Sequence, residues 1–258
     1  MGGSREVTWE GFFNARDLGG LPTRDGRVTH RGALIRSADP RFVTEAGWQA
    51  AHDAGVRTIV DLRNDDEVRP NAGPGLTALG GSAYFAAADP RAPVPSGIDT
   101  VHLPLDGVED VAFWRYLNDE RLNGTPLYFR PFLERKPERC AAAVAAVAHA
   151  RPGGVIFHCG GGRDRTGLLA LLLLALVEVK PEVIAADYEQ SVEPRRALLA
   201  AMGHDDDLAS YHRALAEKGT TARAVVLSTL EGFDAETYLR SAGLSAEEVA
   251  WVRSRLLA

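Results

Sequence analysis

The sequence predicts an α/β protein in which a central, mostly parallel sheet is flanked by helices. Short apolar, β-prone segments alternate with helix-forming segments in the first half of the chain. The glycine run 160–162 then joins the β-prone segment 155–157 to the apolar stretch 168–177, which indicates a sharp turn from a strand into a buried helix. The C-terminal region 181–258 has a helical pattern, and we expect a single domain over residues 1–258.

The N-terminal part of the chain predicts a hairpin, a strand, a helix and a second strand. An Asp-Gly turn between extended segments favours a hairpin over residues 21–30, and residues 33–37 continue as a strand. Thr44 is a suitable N-cap for a helix that runs to Gly55. The apolar segment 58–62 follows as a buried strand, so this part resembles a βαβ unit.

Two further strands are predicted at 101–105 and 155–157, and their carboxyl ends would share one edge of the sheet with the glycine run. Between the strands, residues 71–99 are rich in Gly, Ala and Pro and lack clear periodicity. Residues 108–150 contain two or three helical stretches in which aromatic residues alternate with arginines. This segment is either part of the core or a helical lid insertion that covers a bound ligand.

Composition excludes several classes of protein. The 258 residues are 45% hydrophobic and show no collagen-like or repetitive pattern. Cys140 and Cys159 are too few for a disulfide framework and fit a reducing compartment. The net charge of −6 offers no general attraction for nucleic acid, so we expect no nucleic-acid partner. The longest apolar run is far shorter than the ~20 residues that span a bilayer, so we expect no membrane span.

The N-terminus lacks the apolar core of a signal peptide, so we expect a cytoplasmic protein. Export by a route without a signal peptide stays open.

The loop after residue 157 concentrates residue types that suit phosphoryl chemistry. Cys159 lies where unpaired amides and the positive end of a helix dipole gather, and such sites lower a thiol pKa to roughly 3.5–7.5, so we expect a thiolate. Gly160, Gly161 and Gly162 let backbone N–H groups converge on an anion without Cβ clashes. Arg165 offers a planar fork of donors that fits two phosphoryl oxygens.

Two neighbours of this loop have supporting roles. The Thr166 hydroxyl could bond the cysteine sulfur, and the His158 ring could fix the loop. The alternative is a purely structural role, in which Cys159 is a small buried apolar residue and Arg165 is a solvated side chain. The combination of both residues with three glycines between a strand and an apolar helix speaks against that interpretation.

His158-Cys159, followed by five residues and then by Arg165-Thr166, resembles the signature loop of cysteine-dependent protein tyrosine phosphatases. Further segments narrow the resemblance to the bacterial tyrosine/lipid phosphatase group: Asn14-Ala15-Arg16-Asp17-Leu18-Gly19-Gly20, Ile35-Arg36-Ser37, Val60-Asp61-Leu62-Arg63 with Glu67, and Asp187-Tyr188 with Ser191. The resemblance extends from about residue 10 to the C-terminus. That group usually carries Lys-Asp-Arg in the loop, whereas Arg163 stands here in place of the lysine.

The resemblance implies a protein tyrosine phosphatase-like fold and the hydrolysis of phosphate monoesters through a cysteinyl phosphate. Members of the group act on phosphotyrosine, some on phosphoserine or phosphothreonine, and several on phosphoinositides. We therefore predict a protein tyrosine phosphatase or one of dual specificity, with a phosphorylated protein or a phosphoinositide as its partner. A phosphoinositide or inositol phosphate phosphatase and a non-catalytic phospho-binding module are the alternatives. The oligomeric state is not determined by the sequence.

The predicted reaction needs no cofactor or metal, because Arg165 and the loop amides supply the charge stabilisation. We interpret the acidic segment 204–207 as a solvated turn and not as a metal site.

Departure of the leaving oxygen requires a general acid. Asp164 matches the aspartate that the resembling group carries in its loop and is the first candidate for the acid or for positioning the hydrolytic water, and Asp106 is the second. Alternatively, Asp164 is only an ion-pair partner of Arg163 or an acceptor that holds the loop. Asp61 and Arg63, at the end of a buried strand, either supply a partner for Arg163 or brace the site. The predicted site thus has three sets of residues: Cys159, Arg165 and Asp164 for catalysis; Gly160, Gly161, Gly162, Arg163 and Thr166 for phosphate binding; and His158, Asp61, Arg63 and Asp106 for support.

Overall fold

The computed structural model describes residues 4–69, 85 and 87–257. The described residues contain one sheet of five strands in the order β1-β2-β5-β3-β4. The strands are β1 (Arg16–Asp17), β2 (Leu34–Ser37), β3 (Val56–Asp61), β4 (Asp99–His102) and β5 (Gly154–His158). β1 is antiparallel to β2, and the other neighbours are parallel, which confirms the predicted mostly parallel sheet.

Twelve α-helices lie in the described ranges. They are α1 (Glu45–Asp53), α2 (Asp65–Val68), α3 (Val111–Asp119), α4 (Phe129–Arg135), α5 (Pro137–Ala148), α6 (Asp164–Leu176), α7 (Pro181–Glu189), α8 (Arg195–Ala201), α9 (Leu208–Glu217), α10 (Ala222–Leu230), α11 (Ala235–Ser241) and α12 (Ala246–Leu256). The predicted helical C-terminal region is therefore confirmed as six consecutive helices, α7 to α12. Among the described residues, no helix is both long enough and apolar enough to cross a bilayer.

The central strands are buried on both faces, as parallel strands usually are. β5 is buried along its whole length, and alternate side chains feed two cores. Val155 and Phe157 join the larger core, which contains α5 and α6, whereas Ile156 joins a smaller core around Trp48 of α1. The sheet is thus covered by helices on both sides.

The strand register brings four carboxyl ends to one edge of the sheet. In the parallel ladders, Ser37 and Asp61 both pair with His158, and Asp61 also pairs with His102. The loop after β5 leaves from the middle of this edge and enters α6 directly. The expectation that strand ends and the glycine run share one edge is confirmed.

α6 is a buried helix, as its sequence predicts. Ten of its residues are buried, and they lie on every side of the helix. A helix that is apolar all round requires neighbours all round, and α5, α7, α11 and α12 supply them together with the sheet. The start of α6, and with it the loop, is therefore held in one position by the core.

Several predicted elements differ in detail. The predicted strand 101–105 is β4 (Asp99–His102), which ends earlier than predicted, although the Leu103 and Leu105 amides still donate to the carbonyls of Asp61 and Leu62. The predicted hairpin 21–30 has no regular strands, but its arms are joined by a bridge between Pro22 and Val28 and by backbone hydrogen bonds from Thr23 to Arg27 and from Thr29 to Leu21. In the segment 71–99, residues 71–84 and 86 lie outside the described residues.

The segment 108–150 contributes to the core. Phe113, Trp114, Phe129 and Phe132 are buried in the larger cluster, and α5 packs against α6. Four of its five arginines make contacts with protein groups: Arg121 with Glu217, Arg130 with the Ser228 carbonyl, Arg135 with Asp110, and Arg139 with Glu109. This packing favours the core interpretation over a lid.

Three arginines from the N-terminal segment converge on one carboxylate of α7. Arg5 and Arg16 approach Asp187 Oδ1 at 2.9 Å each, and Arg36 approaches Oδ2 at 2.7 Å. Arg16 also donates to the Ser191 hydroxyl at 2.8 Å. Burial alone would raise the pKa of Asp187, but the guanidinium groups outweigh burial and lower that pKa well below its usual range. This ion cluster ties the first 36 residues to the helical half.

Asp187→Asn should lower the free energy of unfolding by about 3–5 kcal/mol at neutral pH, because three guanidinium groups lose their shared counter-charge. The lowered pKa sets the sign of the pH dependence. The carboxylate stabilises the fold above the unfolded-state pKa of about 4, and this contribution is lost as the pH falls below that value. Urea unfolding at about pH 7 and pH 3 measures both effects. Asp53→Asn, at the exposed end of α1, is the control, and an Asp187→Asn protein as stable as the parent contradicts this role.

Candidate active site

The loop between β5 and α6 has a backbone that only glycine fits at one point. Gly162 has a φ of +68°, in the left-handed region. A Cβ atom at this position would lie 2.7 Å from the Ser37 carbonyl oxygen and from the Ala38 nitrogen. The third glycine of the run is therefore required both for its conformation and for the close approach of the β2 end.

The carbonyl groups of the glycine run are all hydrogen-bonded to residues far upstream in the sequence. The oxygens of residues 160, 161 and 162 accept, in that order, from the Asp39 amide at 2.9 Å, the Asn14 side-chain amide at 3.0 Å and the Arg36 guanidinium at 2.9 Å. Within the described part of the chain, the N–H groups of the three glycines donate to no protein acceptor. Because the carbonyl groups bond to the N-terminal segment and these N–H groups have no protein acceptor among the described residues, the N–H groups can donate to a bound anion.

Cys159 follows β5 directly and begins this loop. Its side chain is 3% exposed, and the residue is a free cysteine. Cys140, in α5, is also free and buried, and burial raises the pKa of its thiol to about 12. Of these two thiols, Cys140 therefore stays protonated at neutral pH and is inert.

Arg165 lies in the first turn of α6 and forms ion pairs with carboxylates from two other segments. Its Nη2 donates to Glu67 Oε1 at 2.7 Å, its Nη1 contacts Glu67 Oε2, and Asp106 Oδ2 lies 3.3 Å from Nη1. Burial opposes the charge, but the carboxylates raise the pKa of Arg165 well above its usual value. The guanidinium is therefore a permanent cation with a defined orientation.

Asp106 is enclosed beside this cation. The residue is 2% exposed and accepts a hydrogen bond from the Asn64 side-chain amide at 2.8 Å. Burial is the main reason why the pKa of Asp106 rises to about 6, although Arg165 acts in the opposite direction. Asp106 is thus the carboxyl group of the site that exchanges its proton close to neutral pH.

Asp164 is the first residue of α6, and its side chain is 26% exposed. Its Oδ1 accepts from Arg163 Nε at 3.1 Å and from the Tyr188 hydroxyl at 3.5 Å. The Asp164 carboxylate is thus partly accessible to solvent at the start of α6.

The guanidinium of Arg163 is occupied by protein partners. Besides Asp164, it donates to the Gly124 carbonyl at 2.6 Å, lies 4.5 Å from the ring centre of Tyr211 and is 3.7 Å from Asp207. These contacts join the loop to α9, and they leave the predicted phosphate contact of the Arg163 side chain without support. Asp207 also pairs with Arg195, so the interpretation of 204–207 as a solvated turn is wrong for that residue.

The predicted supporting residues near the strand ends are Asp61 and Arg63 at β3 and His158 at β5. Arg63 forms a bidentate pair with Asp61, at 2.7 Å for its shorter arm, and a contact of 2.9 Å with Asp39. Asp61 is therefore paired with Arg63 and not with Arg163. This pairing favours the interpretation that Asp61 and Arg63 brace the site. His158 Nδ1 lies 3.2 Å from the Cys159 carbonyl, and burial lowers the pKa of the ring.

The predicted bond from Thr166 to the sulfur is not formed, since the buried Thr166 hydroxyl has no hydrogen-bond partner among the described residues.

Sequence reasoning missed most of the loop's outer supports. Asn14 and Arg36 belong to segments that contributed only to the family resemblance, and Asp39 acts through its backbone, which leaves no signal in the sequence. Glu67 was also part of the family resemblance, which gave it no role at the site. Tyr128 is a buried residue of the segment 108–150, in which the sequence shows only a general alternation of aromatic residues with arginines. Among the described residues there is no cluster of three or more His, Cys, Asp or Glu that could hold a metal.

The chain is similar in sequence to proteins that are named as phosphatases. PtpB, a triple specificity protein phosphatase of Mycobacterium tuberculosis, is 28% identical over 292 aligned positions, which cover 96% of this chain and 97% of PtpB. A Cupriavidus necator protein with a provisional tyrosine-protein phosphatase name is 30% identical over 195 residues, 73% of this chain but only 64% of that protein. A tyrosine-protein phosphatase of Nostoc commune is 28% identical over 239 residues, 87% of this chain and 74% of that protein.

A sequence model of the tyrosine phosphatase family matches residues 7–258. The matched residues include the loop after β5, the carboxylates that pair with Arg165, and the N-terminal residues that bond to the loop. The chain therefore belongs to the tyrosine phosphatase family.

Proposed function

We propose that this protein is a protein tyrosine phosphatase that hydrolyses phosphate monoesters through a cysteinyl-phosphate intermediate. The supporting observation is that three features occur in one segment. Cys159 begins the loop, the carbonyl groups of the loop are hydrogen-bonded to the N-terminal segment, and the Arg165 guanidinium is fixed by its ion pair with Glu67. Donors that are fixed before the substrate arrives stabilise a phosphoryl group without a cost of reorganisation. No metal or cofactor is needed in this scheme.

In the first step the Cys159 sulfur attacks phosphorus, and the bond from phosphorus to the ester oxygen breaks. Arg165 and the amides of residues 160–162 hold the non-bridging oxygens during this transfer. The leaving oxygen takes a proton from the acid. In the second step water attacks the phosphocysteine, gives its proton back to the acid and releases the thiolate and inorganic phosphate.

We assign the acid to Asp164 and give Asp106 a different task. Asp164 stands at the rim of the loop and is partly exposed, where a departing alcohol passes. Asp106 is enclosed by Asn64 and Arg165 and sets the position of the guanidinium.

Phosphotyrosine in a protein is the proposed substrate. Family membership implies a phosphorylated substrate, and the similar proteins are named as tyrosine-protein phosphatases or as a triple specificity phosphatase. The phosphoinositide alternative drew on Arg163 as an extra phosphate ligand, and that guanidinium is engaged by Asp164, Gly124 and Asp207. A silent binding module is disfavoured, since nucleophile and cation are both present. The cytoplasm, whose reducing environment suits a free Cys159, is the proposed compartment.

Cys159→Ser should lower turnover of an aryl phosphate by at least about 10³-fold, because the hydroxyl is a far weaker nucleophile, while binding of inorganic phosphate persists. Phosphate release and mass spectrometry of the quenched enzyme measure the effect, and only the parent should yield a phosphorylated adduct. Cys140→Ala is the matched control and should retain turnover within about twofold. Undiminished turnover by Cys159→Ser excludes the mechanism.

Asp164→Asn should reduce kcat by roughly 10²–10⁴-fold on an ester whose leaving phenol has the pKa of tyrosine, about 10. The loss should be much smaller on an aryl phosphate with an acidic phenol, because that leaving group departs without a proton. Steady-state rates on the two esters give this difference directly. An equal loss on both substrates assigns Asp164 to structure and removes it as the acid.

Asp106→Asn should stabilise the protein at neutral pH. Burial raises the pKa of Asp106 from 3.8 to about 6, so the folded chain binds this proton more tightly than the unfolded chain does. The free energy of unfolding of the parent therefore falls as the pH rises from about 4 to about 6, by up to about 3 kcal/mol in total.

Urea unfolding of parent and Asp106→Asn at several pH values across this interval measures the effect, and the advantage of the variant should grow with pH and then level off. Asp119→Asn, at the exposed end of α3, is the control and should show no such trend. A stability difference that does not change with pH contradicts the raised pKa.

A further inference from the structure

Tyr128 belongs to a segment that borders the start of α6, because the Gly124 carbonyl accepts from Arg163 Nη2 at 2.6 Å. Tyr128 ends a 3-10 turn, Pro126–Tyr128, that leads directly into α4. Thr125 caps this turn, since its hydroxyl accepts from the Leu127 amide at 3.2 Å and donates to the Leu122 carbonyl at 2.8 Å. The segment therefore enters α4 with a fixed backbone.

The ring of Tyr128 is fixed by edge-to-face packing. Its centre lies 5.1 Å from that of Phe129 and 5.7 Å from that of Phe132, with interplanar angles of 75° and 81°. The residue is 2% exposed. Its position is thus determined by the core and does not depend on the hydroxyl.

The hydroxyl of Tyr128 is buried and, as far as the described residues go, has no hydrogen-bond partner. A buried phenol normally bonds to a protein group, because desolvation of an unpaired hydroxyl is unfavourable. An orphan hydroxyl of this kind requires an explanation. A ligand that supplies an acceptor is one such explanation, and the surroundings of the group decide whether it applies.

The ring of Phe129, next to Tyr128, lies 5.5 Å from that of Tyr188, whose hydroxyl donates to Asp164 at 3.5 Å, so this segment packs beside the start of α6. Burial and the nearby Asp164, Asp106 and Cys159 raise the pKa of Tyr128 well above its usual value, and Arg165 acts in the opposite direction. The phenol therefore stays protonated at any working pH of the enzyme and can act as a donor. Among the described residues, Thr166 and Tyr211 also have orphan hydroxyls, but Thr166 lies within α6 itself, and the ring of Tyr211 is stacked on the Arg163 guanidinium.

We propose that the Tyr128 hydroxyl donates a hydrogen bond to an oxygen of the phosphoryl group, both in the bound ester and in the transition state. This inference rests on the proposed phosphatase function. Arg165 and the loop amides approach the phosphoryl oxygens from the loop, and Tyr128 adds a neutral donor from α4. A neutral donor holds an oxygen without lowering the nucleophilicity of the Cys159 thiolate as a second cation beside the sulfur would.

Tyr128→Phe tests the proposal, because it keeps the ring and its packing and removes one oxygen atom. We expect kcat/KM for an aryl phosphate to fall by roughly 10- to 100-fold and the inhibition constant of inorganic phosphate to rise. Stability against urea should stay equal or increase, since a buried unpaired hydroxyl is removed. Tyr116→Phe, on the exposed face of α3, is the matched control and should leave all three quantities unchanged.

The outcomes separate this inference from the proposed function. If Tyr128→Phe keeps kcat/KM and the phosphate inhibition constant within twofold of the parent, the hydroxyl does not touch the phosphoryl group and the proposal is overturned, while the Cys159→Ser result still supports the phosphatase. If the parent releases no phosphate from any ester, direct titration with inorganic phosphate decides. Weaker binding by Tyr128→Phe supports the donor role, and equal binding overturns it.

Discussion

The orientation of one loop depends on three hydrogen bonds to its carbonyl groups. Peptide groups are rigid, so a carbonyl that is bonded on the outer side turns the linked amides the other way. Asn14, Arg36 and the backbone of Asp39 supply those bonds from the N-terminal segment. Arg36 is itself positioned by Asp187, so the ion cluster in α7 and the loop form one connected structure. A segment without any reacting atom thus determines where the anion-binding amides point.

The same site concentrates charge in an acidic protein with a net charge of −6. Arg165 is buried and needs its counter-charges, which Glu67 and Asp106 supply. Burial is the main reason why the pKa of Asp106 is raised, and the neighbouring Glu67 and Asp164 add to that rise while Arg165 acts against it. Stability and function therefore oppose each other at this residue, as they commonly do at active sites.

Local patterns predicted the elements that local physics controls. The strands at β2, β3 and β5 and the buried helix α6 follow from runs of apolar residues, and Thr44 accepts from the Gly47 amide as an N-cap should. The segment 108–150 was ambiguous, because aromatic residues interleaved with arginines suit a core helix with a solvated face as well as a lid. Its arginines found partners such as Glu217 and Asp110, which are distant in the sequence and invisible to a periodicity argument.

The sequence by itself determined the chemistry: a cysteine and an arginine six positions apart around three glycines, between a strand and an apolar helix, specify residue types and spacing within one short segment. Only the tertiary structure decided how that segment is held and which neighbours it meets. It placed Glu67 on Arg165, turned the Arg163 side chain towards Asp207, and joined Arg163 to the Gly124 carbonyl. These contacts join residues far apart in the chain, and they depend on how the core packs, which no local pattern records.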